Sequence, residues 1–286
     1  MKRVLSLVTV AALGLICTAV SAGELKVLTS FLPLYCFAAN VAGDAARVDC
    51  LLSANANPHD YQLSVKDRAR VEAADLVIIN GLGIDNWVHS VLRGAGANKR
   101  VIDASASLSN QLIRHSGVPN PHIWLDPVLA IQCVTNISTA LAELDPEHSA
   151  IFRENSSRYV MRLRQLDTEI REGLESYRDR PIVTFHDSFP YFARRSGLNI
   201  VGVVEEVPDV APSARQRARL YATIREKKAK CIFAEAQFPS RLADQIAQDL
   251  HVPVATLNTL ESGPLKPERY EEVMRENLRT LQARLK

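Results

Sequence analysis

Short runs of consecutive apolar residues alternate along this chain with stretches in which apolar positions recur every three or four residues. The runs are typical of strands covered on both faces, and the recurring positions are typical of helices with one buried face. A capping box at Ser64 and Asp67 predicts the start of one such helix. Regular alternation of the two patterns predicts an α/β fold with parallel sheets. The predicted strands are residues 25–30, 47–52, 75–80, 99–103, 181–185, 199–204, 230–235 and 252–257.

One helical stretch, residues 145–178, separates the first four strands from the last four. Asp145 and Pro146 are suited to the N-cap and the first position of a helix. The pattern predicts an amphipathic helix of about 33 residues, roughly 50 Å long. Its predicted buried face consists of Phe152, Tyr159, Leu163, Leu166, Ile170, Leu174 and Tyr177.

The position of this helix predicts two α/β lobes joined by a rigid connector. The predicted bounds are residues 23–144 for the first lobe, 145–179 for the connecting helix and 180–286 for the second lobe. A long helix buried within a single domain is the alternative.

The N-terminal 22 residues have the pattern of a secretory signal. Lys2 and Arg3 precede an apolar run, and Val20-Ser21-Ala22 fits a cleavage site, so residues 1–22 are predicted to be removed. Cys17 follows the bulky Ile16, which disfavours lipid attachment. No later stretch is predicted to be apolar enough to span a membrane. We therefore expect a soluble, exported, periplasmic protein.

Charge and cysteine content narrow the function further. The chain has 34 basic and 32 acidic residues, and removal of the signal leaves 32 of each, which argues against a nucleic-acid partner. Four cysteines remain after the signal, and their spacing does not fit a zinc ribbon. We expect small buried side chains with at most one disulfide, of undetermined pairing. They are Cys36, Cys50, Cys133 and Cys231.

Two of the seven histidines share the local sequence Asn-Pro-His. His59 and His122 each follow such a pair in predicted loops, and His186 directly follows a predicted strand. Because ligands of open α/β sheets bind at the carboxyl ends of strands, the three imidazoles are predicted to converge on a crevice between the lobes. Neutral imidazole is a common zinc ligand. Asp60 and Asp187 each follow one of these histidines and are candidates to orient an imidazole.

Four phrases carry a resemblance to a known family. In order, they are "NPHDYQLS", "NPHIWLDP", "TFHDSFPYFARRSGL" and "IFAEAQF". Together they resemble the zinc- and manganese-binding proteins of ATP-driven metal importers, the cluster A-I (ZnuA/TroA-like) solute-binding proteins. The resemblance covers essentially the mature chain. It implies two lobes on a long helix, with metal bound by the residues that match His59, His122 and His186.

The chain departs from the family pattern at the fourth ligand. The family usually supplies a carboxylate from a late loop, whereas the matching stretch here is "LNTLES", with Asn258 at that position. The fourth ligand is therefore open between water, the Asn258 oxygen and a carboxylate such as Glu235 or Glu261, of which we favour Glu235. A His- and acid-rich loop found in some relatives is also absent from this sequence.

The predicted cargo is Zn²⁺, because three imidazoles favour zinc over manganese, which prefers oxygen ligands. The resemblance implies capture of the metal and delivery to an inner-membrane ABC permease with its ATPase. A periplasmic zinc chaperone is a further possible partner, and we expect a monomer.

The alternatives to this function are a manganese-importer component, a zinc chaperone or adhesin of the same fold, and a zinc hydrolase with three histidines and an open position. The hydrolase is disfavoured by the absence of HExxH and GxSxG, so we do not expect an enzyme.

Overall fold

A four-stranded parallel sheet forms the centre of the first lobe in the computed structural model, which describes residues 24–92, 100–205, 212–236 and 241–286. The strand order is β2-β1-β3-β4. The four strands predicted for this half are confirmed. They are β1 (Leu25–Thr29), β2 (Ala46–Cys50), β3 (Leu76–Ile79) and β4 (Arg100–Asp103).

Successive residues of these strands enter different hydrophobic clusters on the two faces of the sheet. Val27 packs against helix α1 (Leu32–Ala42), and its neighbour Leu28 packs against α2 (Val65–Ala73) and α3 (Trp87–Leu92). Both faces are thus covered by helices, which explains why the strands read as continuous apolar runs. Helix α2 begins with the predicted capping box.

The second lobe repeats this architecture, with a parallel sheet in the order β10-β9-β7-β8. The four strands predicted here are also confirmed. They are β7 (Pro181–His186), β8 (Asn199–Glu205), β9 (Ile232–Glu235) and β10 (Val254–Leu257). The helices of this half are α6 (Pro190–Ser196), α7 (Ala214–Lys227), α8 (Arg241–Leu250) and α9 (Arg269–Arg284).

In the sequence between the strands of the two sheets, the chain forms a short antiparallel hairpin, β5 (Arg114–His115) and β6 (Val118–Pro119). The sequence pattern did not predict this hairpin. Helix α4 (Pro127–Leu144) follows. By length and composition alone α4 could cross a membrane, so the prediction that no later stretch is apolar enough was wrong. However, 56% of its residues are buried between neighbouring elements, as in the core helix of a soluble protein.

The long helix α5 (Ser149–Leu174) has 26 residues, fewer than the 33 predicted. The missing length is a 3₁₀ turn at each end, Pro146–His148 and Glu175–Tyr177. Asp145 caps the first of these turns by accepting the backbone N–H of His148, rather than capping the α-helix itself. The helix is about 39 Å long.

The apolar face of α5 lies in one hydrophobic core that also contains residues of α1, α4, α6 and α9. Polar contacts fix the helix to both halves of the chain. Asn155 donates to the carbonyl of Val41, Arg195 pairs with Asp167, and Arg275 pairs with Glu169. The long helix along two parallel sheets is therefore confirmed, whereas the exact lobe bounds stay a prediction.

The four cysteines after the predicted signal are buried free thiols. Burial raises the pKa of Cys50 and of Cys133 to about 12. They therefore act as small core side chains. The predicted signal, residues 1–22, lies outside the described residues.

Candidate metal centre

The carboxyl ends of both parallel sheets face one crevice between the lobes. His186 is the last residue of β7, and Glu235 is the last residue of β9. His59 lies in the loop between β2 and α2, and Glu261 lies in the loop after β10. His122 precedes a 3₁₀ turn that leads into α4. The topology thus brings together side chains that are separated by more than 200 residues in sequence.

Both Asn-Pro-His segments form the same local turn. The backbone N–H of His59 donates to Asn57 Oδ1 at 2.9 Å, and that of His122 donates to Asn120 Oδ1 at 3.0 Å. Proline has no N–H, so the first donor after each asparagine belongs to the histidine. The repeated sequence therefore fixes the backbone of two histidines before any metal binds.

The three predicted histidines and Glu261 each place one possible ligand atom within 4.8 Å of all the others. Glu261 Oε1 lies 3.2 Å from His59 Nε2, 3.3 Å from His122 Nε2 and 3.9 Å from His186 Nε2. The Nε2 atoms of His122 and His186 are 3.1 Å apart. His122, His186 and Glu261 are at most 3% exposed, whereas His59 is half-buried.

Partners outside the cluster determine which ring nitrogens carry protons. His122 Nδ1 lies 3.0 Å from Asn120 Oδ1, and His186 Nδ1 lies 2.6 Å from Glu235 Oε2. An oxygen acceptor at this distance requires a proton on Nδ1. When both rings are neutral, their Nε2 atoms therefore present lone pairs to each other, an arrangement that a cation between them stabilises.

The charges in the cluster are strongly coupled. Burial raises the pKa of Glu261, but its close contacts with His122 and His59 outweigh burial and hold it well below its usual range. Burial lowers the pKa of His122 to about 4, so this imidazole is neutral near pH 7. Burial also opposes protonation of His186, but the charge of Glu235 dominates and raises the pKa of His186. The cluster therefore combines one carboxylate with imidazoles whose Nε2 atoms point inward.

The spacing of these atoms fits a four-coordinate cation. Two nitrogens each about 2.0–2.1 Å from zinc, at a tetrahedral angle, lie roughly 3.3 Å apart. The observed separations that involve Glu261 Oε1, 3.2, 3.3 and 3.9 Å, are centred near this value. Glu261 Oε2 is also buried and has no hydrogen-bond partner among the residues that the structure describes. Buried carboxylate oxygens are normally satisfied, so a cation is the expected partner.

The candidates for the fourth position occupy different places. Glu261 lies in the cluster, whereas Glu235 lies behind His186 and contacts its Nδ1. Asn258 Oδ1 instead accepts the backbone N–H of Leu260 at 2.8 Å. Leu260 has a positive φ of 64°, and this turn precedes the glutamate. The only sequence feature that pointed to Glu261 was its place three residues after Asn258, the position at which the family usually has its carboxylate.

Within the described residues, neither of the two aspartates predicted to orient an imidazole forms a hydrogen bond to a histidine ring of the cluster. Asp60 is exposed. Asp187 instead contacts His115 Nδ1 at 2.9 Å and accepts from Asn120 Nδ2 at 3.0 Å. It therefore reaches His122 only through Asn120.

Comparison with known proteins places nearly the whole described chain in one family. The sequence profile of the ZnuA family, described as "Zinc-uptake complex component A periplasmic", matches residues 27–284. The high-affinity zinc uptake system protein ZnuA of Bacillus subtilis is 32% identical in an alignment of 277 positions that covers 90% of this chain and 86% of that protein.

Two solved structures have the same fold. FpvC of Pseudomonas aeruginosa, a solute-binding protein solved with Ni²⁺, is 30% identical, with a TM-score of 0.82 over 92% of this chain and 97% of that chain. Zn(II)-bound AdcA of Streptococcus pneumoniae is 31% identical, with a TM-score of 0.78 over 92% of this chain. The present chain spans 58% of that AdcA chain and 55% of the full AdcA sequence. With the family profile matching residues 27–284, the chain belongs to the ZnuA family of periplasmic zinc-uptake proteins.

Proposed function

We propose that this protein binds Zn²⁺ between its lobes through His59, His122, His186 and Glu261, and delivers the ion to a membrane importer. The main support is the set of three Nε2 atoms and one carboxylate oxygen that converge in a nearly closed site. The Nδ1 contacts of His122 and His186 direct the Nε2 atoms of both rings toward the cluster, where they can bind a cation. Glu261 adds one negative charge, which offsets part of the charge of the ion.

The donor set favours zinc over manganese. Three imidazoles and a single carboxylate suit zinc, whereas manganese prefers sites dominated by oxygen. The related ZnuA of B. subtilis is named for zinc uptake, and the related AdcA was solved with Zn(II). FpvC was solved with Ni²⁺, so binding of other ions in vitro does not identify the physiological cargo.

Delivery follows from membership in a family of zinc-uptake components. In this proposal the loaded protein meets an ABC permease at the outer face of the inner membrane, and the associated ATPase drives import. We propose a soluble periplasmic monomer released by cleavage after Ala22, without lipid at Cys17. A periplasmic zinc chaperone is a further partner of this proposal.

A catalytic role is disfavoured by the surroundings of the cluster. Glu235 is the carboxylate best placed to act as a general base, but Oε2 contacts His186 Nδ1, and Oε1 accepts from the Ser188 hydroxyl and the His186 N–H. Glu261 fills the position that a hydrolase keeps for water. We therefore propose carriage of the ion rather than hydrolysis.

Zinc titration of the metal-free protein tests the assignment, with alanine variants at the four proposed ligands and at Asn258. Each ligand variant should lose more affinity than the 10–100-fold typical of outer-shell changes. The Asn258→Ala variant should bind like wild type. Unchanged affinity in the histidine variants would overturn the site, and a loss in Asn258→Ala without one in Glu261→Ala would overturn the choice of Glu261.

The cargo is tested by the metal content of protein purified from the periplasm without added metal. We expect about one zinc per chain. A preparation that instead contains manganese in this ratio would refute the choice of metal.

A further inference from the structure

Asn120 is a buried residue, and all of its polar atoms are used. Its backbone N–H donates to the carbonyl of Ile113 at 2.8 Å, and its own carbonyl accepts from the Tyr191 hydroxyl at 2.8 Å. The side-chain Nδ2 donates to Asp187 twice, to the carbonyl at 2.6 Å and to Oδ2 at 3.0 Å. Oδ1 accepts the backbone N–H and the Nδ1 of His122, both at 3.0 Å. The side-chain amide thus has a single orientation, with two donors on its oxygen and two acceptors on its nitrogen.

These partners belong to different halves of the site. His122 is on the segment that precedes α4, whereas Asp187 directly follows His186 at the end of β7. Tyr191 lies in α6, next to the same strand. One amide therefore joins the backbone and ring of His122 to the loop that continues from His186. A movement that separates the His122 segment from the His186 loop must break its hydrogen bonds to Asp187.

Asn57, the matching residue of the other Asn-Pro-His segment, has a simpler environment. It is half-buried, and its Oδ1 accepts the backbone N–H of His59. No bond from its side-chain amide to the second lobe is found within the described chain. The His59 side chain is also more exposed than that of His122, 18% against 4%. The same sequence motif is thus a local turn at one histidine and a connection between lobes at the other.

We propose that Asn120 is a positioning residue that couples His122 to the His186 loop and thereby slows release of the bound ion. This inference rests on the proposed function and extends it to the step at which the cargo leaves. His115, on the exposed hairpin, supports the contact from outside because its Nδ1 lies 2.9 Å from Asp187 Oδ2. The Nε2 atoms of the two imidazoles lie 3.1 Å apart. The groups that position the two rings in this way contact neither Nε2 atom.

The substitution Asn120→Asp separates the two roles of the side chain. An aspartate retains an oxygen for the N–H groups of His122 but replaces the donor to Asp187 with a second oxygen. That oxygen would face the Asp187 carbonyl, now 2.6 Å from Nδ2, and would repel it. The added negative charge would by itself favour a bound cation, so faster release cannot be attributed to charge.

The experiment measures the rate at which zinc passes from the loaded full-length mature protein to an excess of chelator. Outer-shell partners of ligating histidines typically change metal affinity 10–100-fold, so Asn120→Asp should release zinc roughly 10–100 times faster than wild type. Asn57→Asp adds the same charge beside the other histidine and keeps its acceptor, so its effect should be much smaller. Asn155→Asp, which removes an amide donor to the Val41 carbonyl far from the site, should release zinc at the wild-type rate.

A second readout separates positioning from general destabilisation. The visible spectrum of the Co²⁺-loaded protein reports coordination geometry, and it should change in Asn120→Asp but not in Asn155→Asp. Equal release rates and equal spectra for Asn120→Asp and wild type would overturn the inference. Failure of the wild-type chain to bind zinc would instead remove the proposed function.

If the Asn120→Asp chain does not fold, Asp187→Ala replaces it, because this variant leaves Asn120 and His122 intact while it removes one of the two acceptors in the second lobe. Faster release from Asp187→Ala than from Asn155→Asp would then support the coupling. Equal release from these two variants would refute it.

Discussion

Replacement of Glu235 by glutamine is a sensitive test of how the ring of His186, a proposed ligand, is prepared for a cation. The carboxylate is 3% exposed and faces three donors. Oε1 accepts from the Ser188 hydroxyl at 2.9 Å and from the backbone N–H of His186 at 3.3 Å, and Oε2 lies 2.6 Å from His186 Nδ1. Glutamine has one acceptor oxygen, so it cannot accept from both sides at once.

Both orientations of this glutamine disturb the site. If its NH₂ group faces Nδ1, the imidazole must accept there and carry its proton on Nε2, where it blocks a metal. If its NH₂ group faces the backbone N–H of His186, two buried N–H donors point at each other and neither has an acceptor there. The negative charge that raises the pKa of His186 and strengthens it as a donor to metal is lost in either case.

We expect zinc to bind Glu235→Gln about 10–100-fold more weakly, which corresponds to roughly 1.4–2.7 kcal/mol. The assay is competition between the metal-free protein and a chromophoric chelator near pH 7.5. Glu271→Gln is the matched control, because Glu271 is a buried carboxylate that contacts Arg162 and Tyr159 away from the cluster. A Kd for Glu235→Gln within twofold of that for Glu271→Gln would refute this role of Glu235.

Two further predictions concern stability of the metal-free protein in chemical denaturation. Leu163→Ala, at a fully buried position of α5, should lower the free energy of unfolding by about 2–5 kcal/mol. Met161, on the same helix, is 62% exposed, so Met161→Ala should change this free energy by less than about 0.5 kcal/mol. Similar losses in both variants would contradict the packing of α5. Asp67→Ala should cost about 1–2 kcal/mol at pH 7, because its carboxylate accepts from the hydroxyl and N–H of Ser64 and from the Tyr61 hydroxyl. Burial raises the pKa of Asp67, but these hydrogen bonds outweigh burial and leave the pKa lowered. The stabilisation is therefore present above the unfolded-state pKa of about 3.9, and it is lost as the pH falls through the lower folded-state pKa. The difference between wild type and Asp67→Ala should therefore shrink below about pH 4, and a difference independent of pH would count against the capping carboxylate.

The sequence by itself determined the features that depend on neighbouring residues. All eight strands of the two parallel sheets lie where apolar runs predicted them, because a strand buried on both faces needs such a run whatever it packs against. The capping box at Ser64 and the Asn-Pro-His turns are local for the same reason, since their donors and acceptors lie within three residues. The short hairpin β5–β6 was missed because two-residue strands carry too little periodicity to be recognised.

Only the tertiary structure decided how distant residues share the candidate site. Glu235 and Glu261 both follow strands of the second sheet, and the sequence favoured the first as the fourth ligand. The fold instead places Glu235 on the outer nitrogen of His186 and turns Glu261 into the cluster. Asn57 and Asn120 have the same local sequence, yet only Asn120 meets Asp187 of the other lobe. Such contacts depend on how two sheets are oriented around one helix, and the packing of the whole core sets that orientation.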